Sequence, residues 1–160
     1  MQLRKILLVE DHEDTRELMA IFLTEADYVI TTASSMMEAL MLAGSEQFDL
    51  FVLDSRLPDG TGVELCERIR QRDQTTPILF CSALAFEKNK DEAFASGAQK
   101  YLVKPVDLSF LLSTVDELVR PTTKISAEAK PRGPEIRATL SESEAGASLE
   151  EKTGHSKRVK

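Results

Sequence analysis

The sequence predicts an α/β fold: a five-stranded parallel sheet, doubly wound, with helices on both faces. Three observations carry this. Four short runs, Ile6–Val9, Leu50–Leu53, Ile78–Cys81 and Tyr101–Val103, are apolar throughout. That is how strands buried on both faces read. Stretches of helical spacing separate them, which implies right-handed crossovers and parallel strands. Each run also ends in a functional group: Glu10-Asp11, Asp54, Ser82 and Lys104. Parallel strands share one carboxyl edge, and open sheets of this kind bind ligands there, where the strand order reverses.

The elements follow in order. After the first run, Asp14-Thr15-Arg16-Glu17 reads as a capping box, and Leu18, Ile21, Phe22 and Glu25 continue a helix with an apolar stripe. Tyr28 to Ala33 reads as the second strand. Ser35-Met36-Met37-Glu38 repeats the box, Leu40, Leu42 and Ala43 extend the helix, and Gly44 is expected to end it. The third run stops at Asp54. Leu57-Pro58-Asp59-Gly60-Thr61-Gly62 then enforces a loop before Val63, Leu65, Cys66 and Ile69 restart helical spacing.

Pro77 opens the fourth strand. Lys88 to Ser96 reads as a helix with little apolar surface beyond Ala93, Phe94 and Ala95, stopped by Gly97. It is expected to be the least firmly packed of the helices. After the fifth strand, Asp107 reads as the N-cap of a helix through Leu108, Leu111, Leu112, Val115, Leu118 and Val119, ended by Pro121.

Composition bounds the function. At 160 residues, 42% hydrophobic and 29% charged, the chain holds the core of one domain and a short appendage. The domain is placed at residues 1–120 and a disordered, charged tail at 121–160. The tail has no aromatic residue and too few large aliphatics to offset the entropy of ordering. Residues 1–120 carry 12 Lys or Arg against 21 Asp or Glu, net −9. An acidic domain lacks the concentrated basic surface that phosphate contact needs, so no direct nucleic-acid partner is expected. The tail offers no apolar periodicity for a helix-turn-helix core. No apolar stretch approaches the roughly 20 residues of a membrane helix, and no leader opens the chain, so a cytoplasmic protein without membrane insertion is expected. Cys66 and Cys81 read as buried free thiols.

The predicted edge gathers Glu10, Asp11 and Asp54. Three carboxylates that close raise one another's pKa unless cations compensate. Hard oxygen ligands favour Mg²⁺, with Mn²⁺ as the alternative, and leave a coordination position for a phosphoryl oxygen. Lys104 supplies a further positive charge, and Ser82 a hydroxyl for the same oxygens. Asp54 after four large apolar residues is hard to account for structurally, because burying an unpaired carboxylate is costly.

On these residues the chain resembles the receiver domain of two-component response regulators, including stand-alone chemotaxis-type regulators. The resemblance covers about residues 4–120. It rests on the acidic pair Glu10-Asp11, on Asp54 followed by Leu57-Pro58 and Gly62, on Ser82 before Ala83, and on Lys104-Pro105 with Tyr101 three places earlier. The resemblance implies the flavodoxin-like strand order 2-1-3-4-5 and a phosphoacceptor Asp54, charged from a phosphohistidine of a sensor histidine kinase or a histidine phosphotransfer protein. It implies Mg²⁺ held by Asp11, Asp54, the backbone carbonyl of Arg56 and, through water, Glu10. It also implies that Ser82 and Tyr101 switch the surface of the fourth helix, fifth strand and fifth helix toward a downstream protein, a phosphorylation-dependent dimer being left open. A cis bond before Pro105 belongs to the same pattern. Such a domain phosphorylates and dephosphorylates itself but is not otherwise an enzyme.

Arg56 and Leu84 stand two places after Asp54 and Ser82, bordering the path of attacking water, and are expected to slow self-dephosphorylation. Glu10 in place of Asp is a mild departure. Single residues also admit blander readings: Asp11 or Asp14 as helix caps, Ser82 as a local backbone partner, Tyr101 as packing, and His12 and His155 as exposed residues with no assigned role. Among rival functions, an aspartyl-phosphate phosphatase of the haloacid-dehalogenase type lacks its second Asp, since position 56 is Arg. An FMN carrier would meet repulsion from the acidic segment 10–14. A non-phosphorylated scaffold leaves the charge constellation without a purpose.

Overall fold

The computed structural model describes residues 2–121; the expected tail lies, from residue 122 onward, outside the described residues. The elements run β1 (Lys5–Val9), α1 (Glu13–Glu25), β2 (Val29–Ala33), α2 (Met36–Ser45), β3 (Leu50–Leu53), β4 (Arg56–Leu57), β5 (Gly60–Thr61), α3 (Gly62–Arg70), β6 (Ile78–Ser82), α4 (Glu87–Ser96), β7 (Lys100–Val103) and α5 (Leu108–Val119). The main sheet is parallel, in the order β2-β1-β3-β6-β7. This is the 2-1-3-4-5 order, because β4 and β5 are a separate two-residue antiparallel hairpin and β7 is the fifth strand of the sheet. The hairpin replaces the loop expected at 57–62. Among the described residues no helix is long and apolar enough to cross a membrane.

The continuous apolar runs work because alternate side chains serve opposite faces. Leu7, Val9, Phe51, Leu53, Ile78 and Phe80 point to one core, closed by α2, α3 and α4 through Met36, Ala39, Leu65, Cys66, Ile69 and Ala93. Ile6, Leu8, Leu50, Val52, Leu79 and Cys81 point to the other, closed by α1 and α5 through Met19, Leu23, Leu111, Val115 and Val119. Each fully buried Leu, Ile or Phe contributes about 1.5–3 kcal/mol over its exposed state. Both cysteines are buried free thiols, and burial pushes the Cys81 thiol up to about 12.

Helix ends depart from the sequence reading in instructive places. His12, not Asp14, caps α1: its backbone is extended and its Nδ1 accepts from the Thr15 amide at 3.4 Å. Asp14 sits in the first turn, where a negative charge still suits the helix dipole. The α1 stripe is also displaced by one residue. Met19 and Leu23 are buried, while Leu18 and Ile21 are 55% and 59% exposed. Two adjacent apolar lines run along this helix, and only its docking beside β1 and α5 decides between them.

Ser35 caps α2 by accepting from the Glu38 amide, but Glu38 reaches past it to the amide and hydroxyl of Ser34. Gly44 does not end α2, which continues to Ser45 and stops where Glu46 turns extended. A true reciprocal box forms instead at Thr61 and Glu64. Gly97 ends α4 in the left-handed region at φ 117°, and Asp107 caps α5. As expected, α4 is lightly packed: Ala93 is its single buried residue, and its N-terminus has no side-chain cap.

Candidate functional site

The chain leaves the sheet core at one edge. Val9 pairs with Ala33 and Leu53, Leu53 with Phe80, and Ser82 with Val103, so the residues that follow these positions are neighbours. Backbone bonds fix them there: the Glu10 amide donates to Ala33 O, Asp54 to Val9 O and Lys104 to Ser82 O, at 2.8–3.0 Å. A depression of about 340 Å³ is lined by Glu10, Asp11, Asp54, Arg56, Ser82 and Lys104, together with His12, Thr15, Ala83 and Leu84. All the acids, the hydroxyl and the lysine singled out in the sequence are therefore brought together. The Lys104–Pro105 bond is cis.

The three acids offer ligand oxygens within 4.8 Å of one another. Glu10 is 2% exposed, Asp54 half-buried and Asp11 exposed. Lys104 Nζ bonds Glu10 Oε2 and stands 3.3 Å from Asp54 Oδ2, while Asp54 Oδ1 accepts from the Ser55 amide at 2.6 Å. Burial pushes the Glu10 carboxyl up and the Asp54 charge adds to that; Lys104 opposes both without reversing the direction. Burial would push the Lys104 ammonium down, but its bond to Glu10 and the two carboxylate charges hold it above the usual range. One ammonium facing three carboxylates leaves excess negative charge. That electrostatic imbalance, on a set of hard oxygen donors, fits a divalent cation.

Gly62 explains its own place in the motif. A Cβ there would lie 2.2 Å from the Asp54 carbonyl oxygen and 2.9 Å from Phe80 Cε1, so α3 approaches Asp54 as closely as it does only because residue 62 has no side chain. Phe80 in turn stacks on Tyr101, ring centroids 5.9 Å apart and 8° from parallel. The Tyr101 hydroxyl donates to Leu84 O at 2.7 Å, and the Leu84 amide donates to Ser82 Oγ at 3.0 Å. Leu84 thus links Ser82 to Tyr101 through its N–H and its C=O.

Three contributors were not read from the sequence. His12 lines the depression and its amide donates to Glu10 Oε1 at 3.1 Å. Arg16 Nη1 donates to the carbonyls of Glu10 and Asp11, at 2.9 and 3.4 Å, bracing the loop that carries the acidic pair. The Thr61-x-x-Glu64 box fixes the start of α3 beside Asp54. Its spacing was legible; the Arg16 brace leaves no local signature. His155 lies outside the described residues.

Known proteins agree with this geometry. The sequence model of the response regulator receiver domain matches residues 6–116. The response regulator protein PilR of Pseudomonas aeruginosa is 36% identical over 129 residues, which is 81% of this chain and 29% of PilR. The DNA-binding dual master transcriptional regulator RpaA of Synechocystis is 35% identical over 128 residues, 79% of this chain and 53% of RpaA. The chain thus spans about half or less of the length of these curated relatives. A two-component response regulator from Clostridium difficile superposes with a TM-score of 0.72 at 30% identity, covering 76% of this chain and 99% of that structure. With the acidic edge, the lysine and the sheet order all in agreement, the chain belongs to the response regulator receiver domain family.

Proposed function

We propose that Asp54 is the phosphoacceptor of this receiver, taking a phosphoryl group from a phosphohistidine of a histidine kinase or histidine phosphotransfer protein. The observation that supports it best is the convergence of Asp54, Glu10, Asp11 and Lys104 Nζ at one sheet edge. An Asp54 carboxylate oxygen attacks phosphorus; the new O–P bond forms as the N–P bond to the donor imidazole breaks, and that histidine leaves with its electron pair. The family is one of signalling modules rather than enzymes.

Glu10, Asp11, Asp54 and the carbonyl of Arg56 would hold Mg²⁺, which when bound supplies positive charge to the phosphoryl oxygens. Lys104 brings the remaining cation from the opposite strand, exchanging its contact with Glu10 for one with the phosphoryl group. Ser82 has a hydroxyl proton to give to the same oxygens. Its oxygen accepts from the Leu84 amide while Tyr101 holds the Leu84 carbonyl, so a displacement of Ser82 toward the phosphoryl group pulls on the residue that Tyr101 anchors. This couples the site to the face of α4, β7 and α5, where Phe86, Phe94 and Phe110 are exposed and which we assign to a downstream protein.

Intact mass after incubation with acetyl phosphate and Mg²⁺ tests the reading. A gain of one phosphate in the unaltered chain and none in Asp54→Asn is expected. Equal gain in both would reject Asp54 as the acceptor.

A further inference from the structure

Away from the phosphoacceptor edge, α2 carries three of the five methionines of the chain. Met37 and Met41, one turn apart, are 68% and 70% exposed. With Met36 and Leu40 they form the apolar wall of a groove of about 540 Å³ between α2 and α3, and Arg68 and Arg72 stand on the opposite wall. A second depression of about 340 Å³ shares Leu40, Gly44, Arg68 and Arg72 and prolongs the groove along α2. Arg72 reaches across to Gly44, where an added Cβ would lie in ordinary contact with its Nη1 at 3.5 Å.

The polar groups of the groove are one-sided. Two acids border it, and both are already engaged: Asp59 accepts from the amides of Met36 and Met37, and Asp73 from those of Thr75 and Thr76. Arg68 and Arg72 form neither an ion pair nor a side-chain hydrogen bond among the described residues. The groove therefore holds two guanidinium groups without a bonded partner, while both Asp59 oxygens are taken up at the N-terminus of α2 and Asp73 keeps only Oδ2 free. Methionine is the apolar residue that adapts best to a docked surface, and an exposed apolar strip rimmed by charge marks an interaction site.

We infer that the α2–α3 groove binds an acidic amphipathic helix of a partner protein, its apolar side chains on Met37, Leu40 and Met41 and its carboxylates on Arg68 and Arg72. The two unpartnered guanidinium groups decide despite the net −9 of residues 1–120, because charges beyond roughly 8 Å are screened at physiological ionic strength. The groove lies apart from Asp54, so this inference stands independently of the phosphoacceptor reading, and Asp54→Asn should bind as the unaltered chain does.

The test uses the full chain, isotopically labelled, and a synthetic helical peptide of about five turns with leucines three and four apart and glutamates flanking them. Its isomer with lysine for glutamate is the control. Amide shifts confined to α2, α3 and the residues just after α3 are expected with the glutamate peptide and not with the lysine one. Met37→Glu with Met41→Glu, and separately Arg68→Glu with Arg72→Glu, should each weaken binding at least about tenfold. All four positions are exposed on the surface, so the fold should survive. No binding, equal binding of the lysine isomer, or shifts centred elsewhere overturns the inference. So does sedimentation showing a dimer that the methionine substitutions dissolve, since the occupant would then be a second copy.

Discussion

Gly62→Ala isolates the tightest glycine site among the described residues. The added methyl carbon would sit 2.2 Å from the Asp54 carbonyl oxygen and 3.0 Å from its carbonyl carbon, against 2.9 Å from Phe80 Cε1. Contact between carbon and oxygen relaxes only near 3.3 Å, so about 1 Å must be found. None of the neighbours gives easily. The Asp54 amide is bonded to Val9 O and the Gly62 amide to Ser55 O, and Phe80 is fully buried between Gly62 and Tyr101. Overpacking of a tight core costs about 1–3 kcal/mol, occasionally more, and backbone on one side places this site near 3. With a urea slope of about 2 kcal/mol/M, the midpoint should fall by about 1.5 M. Because the displaced atoms belong to the phosphoacceptor residue itself, the rate of acetyl phosphate labelling in folded protein should fall as well. A midpoint within about 0.3 M of the unaltered chain, with undiminished labelling, would refute the argument that Gly62 is required by space.

Four further perturbations follow from the geometry. Arg70 donates to the carbonyls of Asp73, Thr76 and Gly97 and to Gln99, clasping the ends of α3 and α4; Arg70→Ala should lower stability by about 2–3 kcal/mol in urea unfolding, whereas a loss under about 0.5 kcal/mol would show the clasp to be replaceable by water. Thr61→Ala removes one half of the capping box and should cost about 1 kcal/mol in the same assay. Burial raises the Cys81 thiol from 9.0 to about 12, so the folded state keeps a proton that the unfolded chain loses: stability is intact below about pH 9 and declines as pH rises toward 12. The urea midpoint should therefore drop more steeply over that window in the unaltered chain than in Cys81→Ala, and parallel slopes would contradict it. Arg56 and Leu84 both line the depression beside Asp54; replacing them by Asn and Glu should speed the loss of phosphate, and an unchanged half-life would remove them from the path of water.

Much of this protein is written locally. Three of the four all-apolar runs become the central, parallel strands, because no other arrangement covers both faces of Leu50–Leu53 or Ile78–Cys81, whereas Tyr101–Val103 lies in the edge strand β7 with only Leu102 buried. Once parallel, their final residues must share an edge, so the meeting of Glu10, Asp11, Asp54 and Lys104 follows from the chain itself. Gly97 and Asp107 announce their helix ends through local backbone chemistry alone. Where two local solutions were equally good, the sequence was silent. Leu18 with Ile21 and Met19 with Leu23 are rival stripes on one helix, and contact with the sheet selected the second. His12 rather than Asp14 became the cap of α1, since the cap falls where β1 releases the chain. Gly44 remained inside α2 because its backbone is helical there. The Arg16 brace on the acidic loop, the closeness of Gly62 to Asp54, and the groove between α2 and α3 exist only after the helices have docked. Periodicity fixes which elements form, whereas the rotation and spacing of packed surfaces, which are nonlocal, decide what those elements touch.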